Sequence, residues 1–183
     1  VNGSVYNNDN LIWRQEPSPE VDAAWEGLAR IKWFAISSSD VEKLGKDPEK
    51  TVKIPKDWGY GMNTHFAALD SQHLLHCLNM LRRSAWPEYY NIAPSPWHTT
   101  HLSHCTYLLM QALTCQPSLN VITHNWVEGQ RFPFPDFDIE RKCVDYESVW
   151  EWNMERGIRY ELLEGIVRPE GARVGLDPER KGS

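Results

Sequence analysis

Apolar residues recur with the 3.6-residue period of a helix in several stretches of this 183-residue chain, separated by polar breaks rich in Pro and Gly. Ser18-Pro19-Glu20 opens the first stretch, with an N-cap serine, proline at the first helical position and an acidic first turn. Ala23, Ala24, Trp25, Leu28 and Ile31 continue it along one apolar face. Ser39-Asp40-Val41-Glu42 predicts a second helix start of capping-box type, stopped by Gly45. Thr51-Val52-Lys53-Ile54 alternates like a short strand closed by Pro55, and Trp58-Gly59-Tyr60-Gly61 reads as a turn. Residues 70–84 and 98–114 give the two strongest helices, apolar on nearly all sides and so expected to be buried central elements. The stretch from Trp86 to Trp97 between them is a loop, residues 119–127 are expected to form a strand, and the Pro-interrupted run Phe132 to Phe137 is an irregular packed segment. Asp145 to Met154 predicts a last helix bearing Val149, Trp150 and Trp152. The pattern defines a mainly α fold with minor β: one compact domain around two packed helices, with short strands and long irregular loops. Its expected limits are residues 17–168, with an extended arm over 1–16 and a flexible tail over 169–183.

Composition narrows the function classes. With 41% hydrophobic and 24% charged residues, extended disorder and collagen-like structure are excluded. A net charge of −6 argues against nucleic acid as a partner. Mean hydropathy is −0.55 and no run of about 18 apolar residues occurs, so nothing in the chain is expected to span a bilayer. P-loop, dinucleotide and nucleophile-elbow fingerprints are absent, which removes nucleotide-dependent chemistry and a Rossmann-type flavin or NAD oxidase. A start at Val1 rather than Met implies that a leader or anchor has been removed, and Asn2-Gly3-Ser4 is an N-glycosylation acceptor, a weak pointer to the secretory route. Cys77, Cys105, Cys115 and Cys143 allow two disulfides in three connectivities, or four free thiols. Nine tryptophans are more than a core of this size uses.

The placement of His and Cys carries the chemistry. His73-Leu74-Leu75-His76-Cys77 recurs as His101-Leu102-Ser103-His104-Cys105, offset by 28 positions, and Leu74 and Leu81 recur as Leu102 and Leu109. At about 100° per residue, the second His lies near −60° and the Cys near +40° of the first, so all three share one helix face. Two such helices packed antiparallel bring four imidazoles together, which is how helix bundles build metal sites. The bland alternative, four core histidines, requires a hydrogen-bond partner for each buried ring nitrogen. His73, His76, His101 and His104 are therefore the candidate metal ligands and catalytic residues. If Cys77 and Cys105 also ligate, zinc or a thiolate–copper centre follows; if they pair with each other, the site is all-imidazole and suits copper, iron or zinc, with copper leading the affinity series. Asp70, one turn before His73, and His98, one turn before His101, are candidates for an extra ligand or base. His124 is expected at the surface.

These residues resemble the UstYa-like family of fungal secondary-metabolite oxidases over most of the chain. His73 to Arg82 is similar to its H-x-L-H-C-L-N-x-L-R motif, and His101 to Cys105 with Leu109, Gln111 and Cys115 to its second. Ser18-Pro19 with Asp22, Ala24 and Trp25 resembles the entry helix, and Pro135-Asp136-Phe137 with Cys143 and Trp150 the C-terminal signature, where Arg141-Lys142 stands in place of the usual His. The resemblance implies an N-terminal membrane anchor in the full-length protein, a catalytic domain in the secretory lumen, copper dependence as in some members of the family and oxidative tailoring of a peptide or other small natural product; a copper oxidase would take dioxygen as co-substrate. Cyclisation, hydroxylation, dehydrogenation and halogenation are the implied outcomes, and the chain acts alone or as a homo- or hetero-oligomer. Trp58, Tyr60, Trp86, Tyr89, Tyr90 and Trp97 are the candidate pocket wall. Two other readings stay open: a structural zinc module that binds a partner, and a cofactor-free cyclase with His as general base.

Overall fold

The computed structural model describes residues 10–172; the Asn2 acceptor, the arm before residue 10 and the tail after residue 172 lie outside the described residues. The chain forms two compact units, one from Val1–Arg30 with Asp70–Tyr146, the other from Ile31–Leu69 with Glu147–Ser183.

In the first unit, Ile12–Arg14 forms a 3-10 turn rather than extended chain, and Trp13 meets Trp25 edge-on at 5.7 Å. Helix α1 (Pro19–Ala29) starts as its sequence dictates: Ser18 Oγ accepts the Val21 N–H at 3.2 Å, and Pro19 takes the first turn. Val21, Trp25 and Ala29, one every fourth residue, are its buried stripe. It ends before Ile31, because Arg30 turns extended. Helices α3 (Asp70–Ser84) and α4 (Pro96–Cys115) pack against each other, and α1 packs on α3. The start of α4 lies two residues before the expected one: Ser95 Oγ accepts the His98 N–H at 3.1 Å and Pro96 follows, the same Ser-Pro signature that opens α1.

The motif helices are less buried than expected. Only Gln72, Cys77 and Asn79 of α3 and Cys105 of α4 are fully covered, while Tyr107, Met110 and Leu113 of α4 are exposed. Apolar residues lie all round α4, but α3 covers a single stripe of it, so the remainder faces solvent. The strand expected over 119–127 shrinks to β3 (His124–Asn125), paired antiparallel with β4 (Phe134–Pro135).

The second unit holds an antiparallel pair the sequence pattern does not reveal, β1 (Trp33–Ser37) and β2 (Thr64–Ala68), in register Trp33↔Ala68 to Ser37↔Thr64. The expected strand at Thr51–Ile54 contributes only a bridge, Lys53↔His65. Helix α2 (Ser38–Lys43) is capped by Ser37, not Ser39: Ser37 and Asp40 exchange the two bonds of a capping box, and Gly45 at φ 72° follows the helix end. The turn at 58–61 is as expected, with Gly59 at φ 80°. His65 is fully buried but satisfied, bonding Ser38 Oγ at 2.9 Å and the Thr51 carbonyl at 3.2 Å. After α5 (Tyr146–Arg156), Gly157 bridges Phe34 and the Ile158 N–H donates to Trp33 O at 2.6 Å, burying Ile158. A short α6 (Tyr160–Leu163) follows. No helix among the described residues is long and apolar enough to cross a membrane.

Candidate functional site

The antiparallel packing of α3 on α4 does what the duplicated motif predicts. The first His of one copy meets the second His of the other: His73 and His104 rings are 5.8 Å apart, His76 and His101 5.9 Å, and His73 and His76 6.3 Å along α3. Cys77 and Cys105, one position on, are both at 0% exposure and hydrogen-bond to each other. The two small side chains let the backbones approach, and the four larger rings form the layer beside them.

Among the described residues, no three His, Cys, Asp or Glu side chains converge tightly enough to hold an ion as they stand. The donor set is nonetheless suited to one. Two imidazoles on one ion, with metal–nitrogen bonds of about 2.0 Å, have ring centres ~5–6 Å apart, close to the observed spacings. Metal ligands must also be deprotonated. Burial, then the neighbouring His101 and His73, push the His76 pKa below its ordinary value; Glu26 opposes this and Arg83 adds to it. His76 is thereby held neutral, as a ligand requires.

The other sequence-predicted residues divide. His98 bonds Ser84 Oγ at 3.3 Å, which gives it a local partner, and Asp70 sits exposed in the first turn of α3. His124 is exposed, as expected. Of the six candidate wall aromatics, Trp97 stacks on a motif histidine: its ring lies 6.0 Å from His101, nearly parallel at 22°, and 64% exposed. Trp86 is exposed, Tyr89 packs edge-on against Tyr90, and Tyr90 donates its hydroxyl to Asp22. Trp58 packs on Phe66, and Tyr60 accepts the Arg159 N–H, both within the second unit. All four cysteines are free thiols, Cys77 and Cys105 buried, Cys115 and Cys143 exposed, so no disulfide links any of them. Burial and the adjacent Cys105 push the Cys77 thiol up to about 12. A thiol-disulfide reagent is therefore expected to titrate two thiols quickly in the native protein and four after denaturation; four fast thiols would contradict the buried pair.

Sequence reasoning missed a clamp beside the histidines. Arg82 donates to Asp22 of α1 at 3.0 Å and to Asn79 at 2.9 Å, and lies 5.1 Å from the Trp25 ring. Burial alone would raise the Asp22 carboxyl, but the hydrogen bonds from Tyr90 and Arg82 outweigh it and hold the group below its ordinary value. The trailing L-N-x-L-R of the first motif and the D-x-A-W of the entry helix thus lock onto each other; the signal was present in both motifs but not their mutual contact. A cavity of about 610 Å³, lined by Gln116 to Asn120 and Glu140 to Cys143, lies beyond the C-terminal end of α4, roughly 20 Å along the helix from His101.

A four-histidine layer between two copies of one motif, braced by an Asp–Arg–Tyr clamp, coincides with a family match: residues 3–156 match the family described as mycotoxin biosynthesis protein UstYa. The chain belongs to the UstYa family. It is 38% identical over 190 residues to "UstYa family oxidase aprY" of Aspergillus flavus, covering 97% of this chain and 57% of that protein. It is 22% identical over 156 residues to "UstYa family oxidase phomYc" of Diaporthe leptostromiformis (80% and 60% covered) and 27% over 146 residues to "Chlorinase cctP2" of Talaromyces islandicus (79% and 43%). The chain spans about half the length of these curated relatives. No solved structure matches it.

Proposed function

We propose that this chain is the catalytic part of a copper-dependent oxidase that tailors a peptide or other small natural product with dioxygen, held by an N-terminal anchor in the secretory lumen. The observation that carries the reading is the meeting of His73, His76, His101 and His104, two from each helix, with rings about 6 Å apart. These four residues would hold one or two copper ions, and copper, when bound, supplies the one-electron chemistry that couples substrate oxidation to reduction of dioxygen.

The chain's own residues do the rest. The buried Cys77–Cys105 contact joins α3 to α4 one position from His76 and His104. Trp97, stacked on His101, fixes that ring's plane and offers its exposed face to an aromatic or planar group of the substrate. The names of relatives as oxidases and as a chlorinase support oxidative tailoring, and leave the outcome to the substrate and its pose.

Chelation separates this from a zinc-stapled binding module. Treated with chelator, the protein is expected to lose oxygen consumption while its far-UV circular dichroism stays nearly unchanged, since the Asp22–Arg82 bond and the buried Cys77–Cys105 contact hold α1, α3 and α4 together through protein groups. Collapse of helicity would favour the structural-metal reading, and unchanged turnover would contradict any metal role.

A further inference from the structure

We infer that Arg83 anchors a carboxylate of the substrate, so that the molecule oxidised at the histidine layer is an acid whose carboxylate lies about 10 Å from the reacting atom. This rests on the histidine layer being the oxidising site.

Two adjacent arginines close α3, and the structure uses them differently. Arg82 is spent on Asp22 and Asn79. Arg83 is half-buried and, among the described residues, has no carboxylate partner; its guanidinium lies 4.6 Å from the Tyr90 ring. Tyr90 is itself held by Asp22. A guanidinium resting on an aromatic face keeps its N–H edge available, and that edge matches a carboxylate with two parallel hydrogen bonds. A half-buried cation left without an anion, in a chain of net charge −6, is a placed group rather than a leftover one.

Its position points to the same site. Arg83 follows His76 by seven residues, which places it on nearly the same face of α3, two turns or about 10 Å further along. Glu26 is already paired with Arg30 at 3.4 Å. An extended peptide advances ~3.3–3.6 Å per residue, so a peptide held by Arg83 would present a residue about three positions from its carboxylate to the histidines. A C-terminal carboxylate and an Asp or Glu side chain carry the same chemistry.

Calorimetric titration of the full chain with three N-acetylated tetrapeptides tests this. Each has one tyrosine three residues from its end: a free acid, its C-terminal amide, and an amide ending in glutamate. The free acid is expected to bind at least tenfold more tightly than the neutral amide, the gain typical of a charge-assisted bond. The glutamyl amide equals the acid if a side-chain carboxylate suffices and equals the neutral amide if the terminus is required. Arg83→Gln is expected to erase the preference with circular dichroism and copper uptake unchanged. Equal binding of acid and amide, a preference that survives in Arg83→Gln, or no binding of any probe at millimolar concentration overturns the anchor. A preference in a protein that takes up no copper supports the anchor and contradicts the oxidase reading instead.

Discussion

Alanine at His73 or at His101 is expected to abolish stoichiometric copper uptake and to reduce oxygen consumption to background. Each substitution removes one imidazole from a different helix, and each of these rings faces a partner across the interface: His73 faces His104 and His101 faces His76. Losing either leaves three imidazoles, divided unevenly between α3 and α4. The fold should tolerate the change, since the fully buried contacts beside the layer come from Cys77, Cys105 and Gln72. Metal analysis after gel filtration checks the result. His98→Ala is the control: that ring is occupied by Ser84, and its loss should leave uptake intact. Full copper loading of His73→Ala and His101→Ala would contradict the four-histidine assignment.

The second large effect is on stability. Asp22→Ala should destabilise the fold by about 2–3 kcal/mol, because it strips charge-assisted bonds from Arg82 and Tyr90 and leaves the Arg82 cation nearly buried and unpaired. The Arg82 side chain is only 14% exposed, against 33% for Asp22. Urea unfolding measures the loss, and a double-mutant cycle with Arg82→Ala should return strong coupling. The same contact predicts a pH effect. Since the folded carboxyl titrates below its unfolded value, its contribution is fully present above the unfolded pKa of about 3.9 and fades as pH falls through the folded value. Asp22→Asn should therefore be less stable than wild type at neutral pH and converge on it in acid; a constant gap across that range would contradict the linkage.

The helices were legible because their signals are local. Ser18-Pro19 caps α1 as its residues dictate, and the matched His and Cys positions suffice to set α3 and α4 face to face. Ser95-Pro96 carries the same cap, obscured by the prolines and tyrosines that precede it. The β1–β2 pair was not legible because its stability is non-local: Trp33 to Ser37 is short, lacks clean alternation and is defined by a partner about 30 residues away. Ser39 was a plausible cap with acidic residues after it, but Ser37 is the one that sits extended with Asp40 at the third helical position. At the site, spacing identified which residues face one another but not how the aromatics divide. Trp97 reached a histidine because it lies one turn before His101 on the same helix, whereas Tyr90 was captured by Asp22, 68 residues away.

The most direct measurement is a copper-edge anomalous map from crystals of the copper-loaded protein. A peak between α3 and α4, within bonding distance of nitrogens from both His73–His76 and His101–His104, is the predicted result. An empty histidine layer, or a peak only at the cavity beside Cys143, would contradict it.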